Sequence, residues 1–237
     1  GFINMHTHSA MSYFRGVADD SSFEEWLFKE MLPREDFLRS EMAYYGAVIS
    51  ILEMISSGIT TFVDMYMFTD EIAKAAYDLG MRAYISRGLS FDNEEGWNQR
   101  VKENVSTYEK FNGLENRIYI GFGPHAPYSV SFDKLKEIAK IAEKYNTHIQ
   151  IHLLESKNEK NQYSLSDIEN TGLFEVPTIA AHCVYVDNED IKVLSKNDVT
   201  VVYNPTSNMK LGNGIAPIVD IIDENVGDIF GLGEVQR

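Results

Sequence analysis

Along the chain, short apolar runs of strand character alternate with stretches whose apolar residues recur at helical spacing, and the alternation persists almost to the last residue. The strand-like runs are Phe2 to His8, Thr60 to Met65, Arg82 to Arg87, Ile118 to His125, His148 to Glu155, Thr178 to Cys183 and Val199 to Asn204. Helical periodicity covers Glu41 to Ser57, Glu71 to Leu79, Trp97 to Phe111, Phe132 to Tyr145, Asn188 to Ser195 and Ile215 to Glu224. Gly58, Gly80 and Gly113 stand just past three of these stretches, where a helix C-cap favours a residue that accepts left-handed backbone. Repeated strand-helix units predict an α/β fold with a parallel sheet. Seven units, with an eighth expected over Val226 to Gly233, predict a (β/α)8 TIM-type barrel that is incomplete at its eighth unit.

A barrel collects the C-terminal ends of its strands on one face, whereas an open sheet spreads them along a line. The chemically capable residues at those ends are His8, Asp64, Arg87, His125, His152, Glu155, His182 and Asn204. His6 and His8 are two apart on a strand, so both rings project from one face while Thr7 points away. With His152 they make three imidazoles able to share one divalent metal ion, for which zinc is the natural choice. Three protein ligands leave a position for a water whose pKa falls to about 7, the pattern of a metal-dependent hydrolase. Glu155, three residues past His152, would bend back over that water and carry its proton to a leaving nitrogen, as hydrolytic deamination requires. The competing reading of Glu155 is a solvated loop acid. His182 reads either as a further ligand or, as we prefer, as a group that orients the water. His125, flanked by Pro124 and Pro127, reads as a substrate contact, and His148, at the opposite end of its strand, as structural.

The segment from Ser9 to Arg39 carries Phe23, Trp26, Phe28, Leu32 and Pro33 without a clean strand. It is long enough to form a lid over the barrel mouth, with packed surface helices as the alternative. Asn213 and Gly214 are expected to shape a loop at the same mouth, without an assigned ligand.

Bulk properties narrow the partners. A formal net charge of −15 opposes binding to nucleic acid or an anionic membrane surface. The single cysteine, Cys183, excludes an internal disulfide and a Cys-x-x-Cys site, and suits a reducing cytoplasm. No apolar run reaches the roughly twenty residues of a membrane-spanning helix. A small-molecule substrate is the remaining expectation.

Five ordered motifs carry a resemblance. Asn4-Met5-His6-Thr7-His8, Gly121-Phe122-Gly123-Pro124-His125-Ala126-Pro127-Tyr128, Ile151-His152-Leu153-Leu154-Glu155, Ala181-His182-Cys183 and Asn204-Pro205-Thr206-Ser207-Asn208-Met209-Lys210-Leu211-Gly212 together resemble the amidohydrolase superfamily. Within it they are similar to the 5′-methylthioadenosine/S-adenosylhomocysteine deaminase group. The resemblance implies one metal, usually zinc, held by His6, His8 and His152, with Glu155 as proton shuttle and His182 beside the water. It further implies a purine nucleoside as substrate. Glu35 would bind its ribose hydroxyls, Arg87, Arg100 and His125 would contact the ligand, and Trp26 would supply a nearby aromatic. Relatives acting on other nitrogen heterocycles, and a metal-binding pseudoenzyme without turnover, are the rival functions.

One departure bears on activity. The family carries a Gly-Thr-Asp-Gly segment at the end of the eighth strand, and its aspartate completes the metal site. Ungapped continuation from Ile215-Ala216-Pro217 brings Gly233 to that position, with Asp228 and Glu234 nearby. The family's small β-rich domain is also missing, so residues 1–237 read as a partial barrel domain cut at both ends. Apolar edges left by an incomplete barrel would favour a homo-oligomer.

Overall fold

The alternation in the sequence becomes one parallel ladder. The computed structural model describes residues 1–18, 21–224, 226 and 229–230. Its strands are β1 (Phe2–Thr7), β2 (Ile59–Tyr66), β3 (Arg82–Leu89), β4 (Ile118–Pro124), β5 (Ile149–Leu153), β6 (Thr178–His182), β7 (Thr200–Val202) and β8 (Ile229–Phe230). They pair in sequence order, β1 to β8, and every named pair is parallel. Each crossover carries helix, as parallel pairing demands. The helices are α1 (Leu32–Glu35), α2 (Ser40–Ser56), α3 (Thr69–Asp78), α4 (Glu94–Phe111), α5 (Phe132–Tyr145), α6 (Lys157–Gln162), α7 (Leu165–Glu169), α8 (Asn188–Lys196), α9 (Pro205–Lys210) and α10 (Ile218–Asp223). The barrel expected from the periodicity is therefore the architecture found, with its eighth strand reduced to a two-residue pairing on β7 among the described residues. Asp228, Gly233 and Glu234 lie outside those residues.

Local chemistry explains the boundaries. Gly58, Gly80 and Gly113 all take positive φ, near +78°, immediately after α2, α3 and α4, as a left-handed cap requires. Asn93 begins α4 by accepting the Gly96 N–H at 2.8 Å. At α8, Asp187 and Asp190 form a reciprocal capping box. The short helices α6, α7 and α9 escape a periodicity search because they span only five or six residues each. The segment from Ser9 to Arg39 is mostly helical: a 3-10 turn (Ser9–Phe14), a π-helix (Glu25–Met31) and α1, with Trp26 and Met31 buried beneath.

Apolar side chains on one face of each strand meet the helices. On the side of the early strands, Phe62, Ile85 and Ile120 pack with Ala47, Ile51 and Ile72. On the other side, Ile149, Ile151 and Leu153 pack with Leu135, Ile138 and Ala142. The opposite face of the strands fills the barrel. There Gly121 is needed for space, because a Cβ on it would come within 2.4 Å of His148 Nε2 and 2.6 Å of the His148 carbonyl. Among the described residues no helix is long and apolar enough to cross a membrane.

His148 sits low in the barrel, edge-on to Tyr84, with its Nε2 facing the Gln150 amide at 3.3 Å. Burial pushes its pKa down to about 4. The sign of the linkage follows: the unfolded ring takes a proton below about pH 6.5, the folded ring refuses it until about pH 4, so this group erodes stability as pH falls through that window. An NMR titration should find the ring neutral at pH 5. His148→Gln should lose less unfolding free energy than the parent between pH 7 and pH 4.5, measured by denaturant melts.

Candidate active site

Four of the barrel's strands end in imidazoles that meet at its mouth. His6 comes from β1 and His8 from the residue just past it, His152 from β5, His182 from the end of β6 and His125 from just beyond β4. The His6 ring centroid lies 4.9 Å from that of His8, 4.8 Å from His152 and 5.3 Å from His182. His125 stands 4.8 Å from His152. His6, His152 and His182 are buried, and one ring nitrogen of each lies within 4.8 Å of those of the other two.

Hydrogen bonds set which nitrogen each ring presents. His8 Nδ1 meets the Met65 carbonyl at 2.5 Å, and His152 Nδ1 meets the His125 carbonyl at 2.7 Å. A carbonyl can only accept, so both Nδ1 atoms carry the proton, and in the neutral form of each ring Nε2 presents the lone pair. Those two Nε2 atoms face each other at 3.3 Å. Without a proton between them they repel, while a tetrahedral cation with bonds of about 2.0–2.1 Å to nitrogen spaces two ligands about 3.4 Å apart. The donor set therefore fits a divalent metal. His182 is oriented in the same manner, its Nδ1 meeting Asn208 Oδ1 at 2.8 Å, which leaves Nε2 for the mouth. Burial first, then the neighbouring imidazoles, holds His152 well below the ordinary histidine range, and the same causes bring His125 down to about 4. Neutral rings near pH 7 are the ligating form.

His182 reaches this cluster through its backbone. Its register partner is Leu153, which faces the helices, so plain strand alternation would send the His182 ring outward. A left-handed φ of 78° turns it into the mouth instead. Leu154 ends β5 in the same way, with φ 47°, and the bend brings Glu155 back over the rings. Glu155 is 3% exposed, with Oε2 at 3.6 Å from His182 Nε2 and Oε1 accepting the Asn213 amide at 2.9 Å. The bend itself is gripped by Glu159, whose two carboxylate oxygens accept the Leu154 and Glu155 N–H groups at 2.8 and 3.0 Å. Burial pushes the Glu159 carboxyl up to about 7, against the pull of those donors. Under β1, fully buried Asp64 accepts the Ser9 N–H at 2.6 Å and so ties down the turn that follows His8.

The remaining sequence candidates divide. Glu35 adjoins the cluster through Tyr66, which donates to its Oε1 at 2.7 Å and whose ring centroid lies 6.1 Å from that of His8. Burial raises the Glu35 carboxyl, opposed by the Tyr66 hydroxyl and by Arg87. Arg87 donates to Glu103 at 3.0 Å and to the Gly88 carbonyl at 2.7 Å, and borders a cavity of about 400 Å³ lined also by Met67, Phe68 and Lys102. Arg100 is taken up by a two-pronged pair with Asp92 at 2.9 and 3.0 Å and by the Ser90 carbonyl at 3.0 Å, just past the end of β3. Asn208, Tyr66 and Glu159 were not identified from the sequence as parts of the site, and Asn213 was expected only to shape a loop at the mouth, without a ligand. The Asn-Pro-Thr-Ser-Asn run and the acid four residues past Glu155 were the signals available, but nothing in either says which side chain turns inward.

A parallel barrel with imidazoles and a carboxylate gathered at its C-terminal face defines a class, the barrel hydrolases built around a metal. Residues 1–234 match the amidohydrolase family, and the chain belongs to it. It is 48% identical over 228 residues to 5-methylthioadenosine/S-adenosylhomocysteine deaminase of Thermotoga maritima, covering 96% of this chain and 55% of that protein. It is 41% identical over 242 residues to 5'-deoxyadenosine deaminase of Methanobrevibacter smithii, covering 98% and 55%. The chain thus spans about half the length of the curated relatives it matches. Among solved structures, an adenosine deaminase from Xanthomonas campestris with bound zinc superposes with a TM-score of 0.91 at 26% identity, over 100% of this chain and 56% of that one. Guanine deaminase from C. acetobutylicum shares the fold, with a TM-score of 0.88 at 22% identity over 98% of this chain and 60% of that one. The family is metal-dependent, in keeping with the imidazole cluster.

Asn208 offers a test of the ring-orientation argument. Asn208→Ala removes the acceptor that orients the His182 ring and should lower turnover by about 10- to 100-fold while zinc binding, read by competition with a chromophoric chelator, stays unchanged.

Proposed function

We propose that this barrel hydrolytically deaminates 6-aminopurine nucleosides of the 5′-methylthioadenosine and S-adenosylhomocysteine type, releasing ammonia. The observation that carries the reading is the pair of facing Nε2 lone pairs on His8 and His152 with Glu155 and His182 beside them. The names of the relatives, deaminases of adenosine derivatives, support the choice of substrate class.

His6, His8 and His152 would hold one divalent ion, most naturally zinc, which when bound supplies Lewis-acid polarisation and lowers the pKa of water. Glu155 accepts a proton from the water that adds to C6 of the purine and delivers a proton to the departing amino nitrogen. Water adds across the ring, ammonia leaves, and the 6-oxo purine remains, so atoms and charge balance. Asn213 holds one Glu155 oxygen, and the other lies on the side of His182, where the proton is carried. His182, with Nδ1 bonded to Asn208, directs Nε2 at the attacking oxygen. Glu35 accepts the two ribose hydroxyls, with Tyr66 steadying its other oxygen. His125, neutral by burial, contacts the base. Arg87, and Arg100 once released from Asp92, would contact the ligand. The reaction belongs in a reducing cytoplasm, where buried Cys183 stays a thiol, and residues 1–237 form the barrel part of the enzyme, alone or as a homo-oligomer.

Ammonia release from methylthioadenosine should require added zinc and cease with chelation. Glu155→Gln should lower kcat by about a hundredfold to ten-thousandfold with zinc still bound. Uptake of zinc with no turnover in the parent would overturn the deaminase reading in favour of a metal-binding protein. Glu35→Gln should raise KM for nucleosides and leave any activity on free bases unchanged. Equal loss on both would remove the ribose role.

A further inference from the structure

Glu159 takes no part in the chemistry just described, yet few side chains in the barrel are so fully engaged. It lies on α6 at 2% exposure, with both oxygens occupied by main chain: Oε1 accepts the Leu154 N–H at 2.8 Å and Oε2 the Glu155 N–H at 3.0 Å. Its own N–H is capped by Ser156 Oγ at 3.2 Å, which starts the helix and sets where the carboxylate lies. The amides it grips belong to the bend that ends β5, where Leu154 is held at φ 47°. Left-handed backbone is unfavourable for a residue with a Cβ and persists only where its surroundings enforce it. The Leu154 carbonyl is fixed from the other side by the Tyr185 N–H at 3.0 Å. Were the bend to relax to extended backbone, alternation would carry the Glu155 side chain away from His182 and Asn213.

We propose that Glu159 is a positioning residue, whose carboxylate clamps the amides of Leu154 and Glu155 and so locks the bend that aims Glu155 at the mouth. The inference rests on the reading of Glu155 as the proton carrier. A carboxylate suits the task because both oxygens accept, whereas an amide of the same shape must turn an NH2 donor against one of the two N–H donors.

The test uses the zinc-loaded protein. Glu159→Gln should lower kcat roughly tenfold to a hundredfold, as loss of an outer partner at a metal site does, with bound zinc retained. KM should stay within about twofold, since the clamp touches no substrate. The backbone amide resonances of Leu154 and Glu155 should move and their hydrogens exchange faster. Glu155→Gln is the control: activity that survives it defeats the proton-carrier reading itself. If Glu155→Gln stops turnover while Glu159→Gln leaves kcat intact, the positioning role is overturned and the deaminase reading stands. Parallel loss of kcat, zinc and thermal stability in Glu159→Gln would make the residue a support of the whole fold and overturns the proposal equally. Should Glu159→Gln not fold, Ser156→Ala removes the cap that sets Glu159, and a smaller loss of kcat with zinc retained is expected; unchanged kcat overturns the proposal.

Discussion

With both rings neutral, the Nε2 lone pairs of His8 and His152 face each other at 3.3 Å in the barrel mouth. Left to themselves such lone pairs repel, and nothing in a single strand would hold them so close. They stay because each ring is pinned from behind by its Nδ1–H, one to the Met65 carbonyl and the other to the His125 carbonyl. Both anchors belong to neighbouring strands or their ends, so the spacing of the ligating atoms is set by the pairing of β1 with β2 and of β4 with β5. The barrel sets the geometry of the site through its hydrogen-bond ladder, and a cation of tetrahedral preference matches what that ladder produces.

The second constraint is backbone strain at two strand ends. Leu154 and His182 both adopt positive φ, and both changes serve one result, turning a polar side chain from the helix layer or solvent into the mouth. Strain of this sort needs compensation nearby. At β5 it comes from Glu159 and the Tyr185 N–H, and at β6 the Cys183 N–H donates to the Leu153 carbonyl at 2.9 Å, tying the two ends together. Buried carboxylates recur in this role, since Asp64 holds the turn after His8 through the Ser9 N–H. The acids closest to the chemistry thus divide: Glu155 presents an oxygen to the rings, while Asp64 and Glu159 spend theirs on main chain.

Much of the fold was legible along the chain because a repeated βα unit leaves its signature locally. Apolar runs, helical spacing and the capping glycines Gly58, Gly80 and Gly113 depend on near neighbours, and the strands fell close to where the pattern predicted them. The misses have local causes too. The run expected to continue to Glu155 stops at Leu153 because the next residue turns left-handed, and α6, α7 and α9 are too short to show a period. The histidines and Glu155 were legible as candidates because few other side chains of that chemistry stand at strand ends.

By itself the sequence determined the order of units, the closure tendency of a parallel sheet and the inventory of imidazoles and carboxylates, all of which follow from spacing and side-chain chemistry. Tertiary structure alone decided which groups meet. His182 turns inward against strand alternation, Asn208 and Asn213 become partners of His182 and Glu155, and Arg100 is absorbed by Asp92. These are contacts between residues 8 to 58 positions apart. They depend on backbone angles and packing across strands, and a linear pattern carries neither.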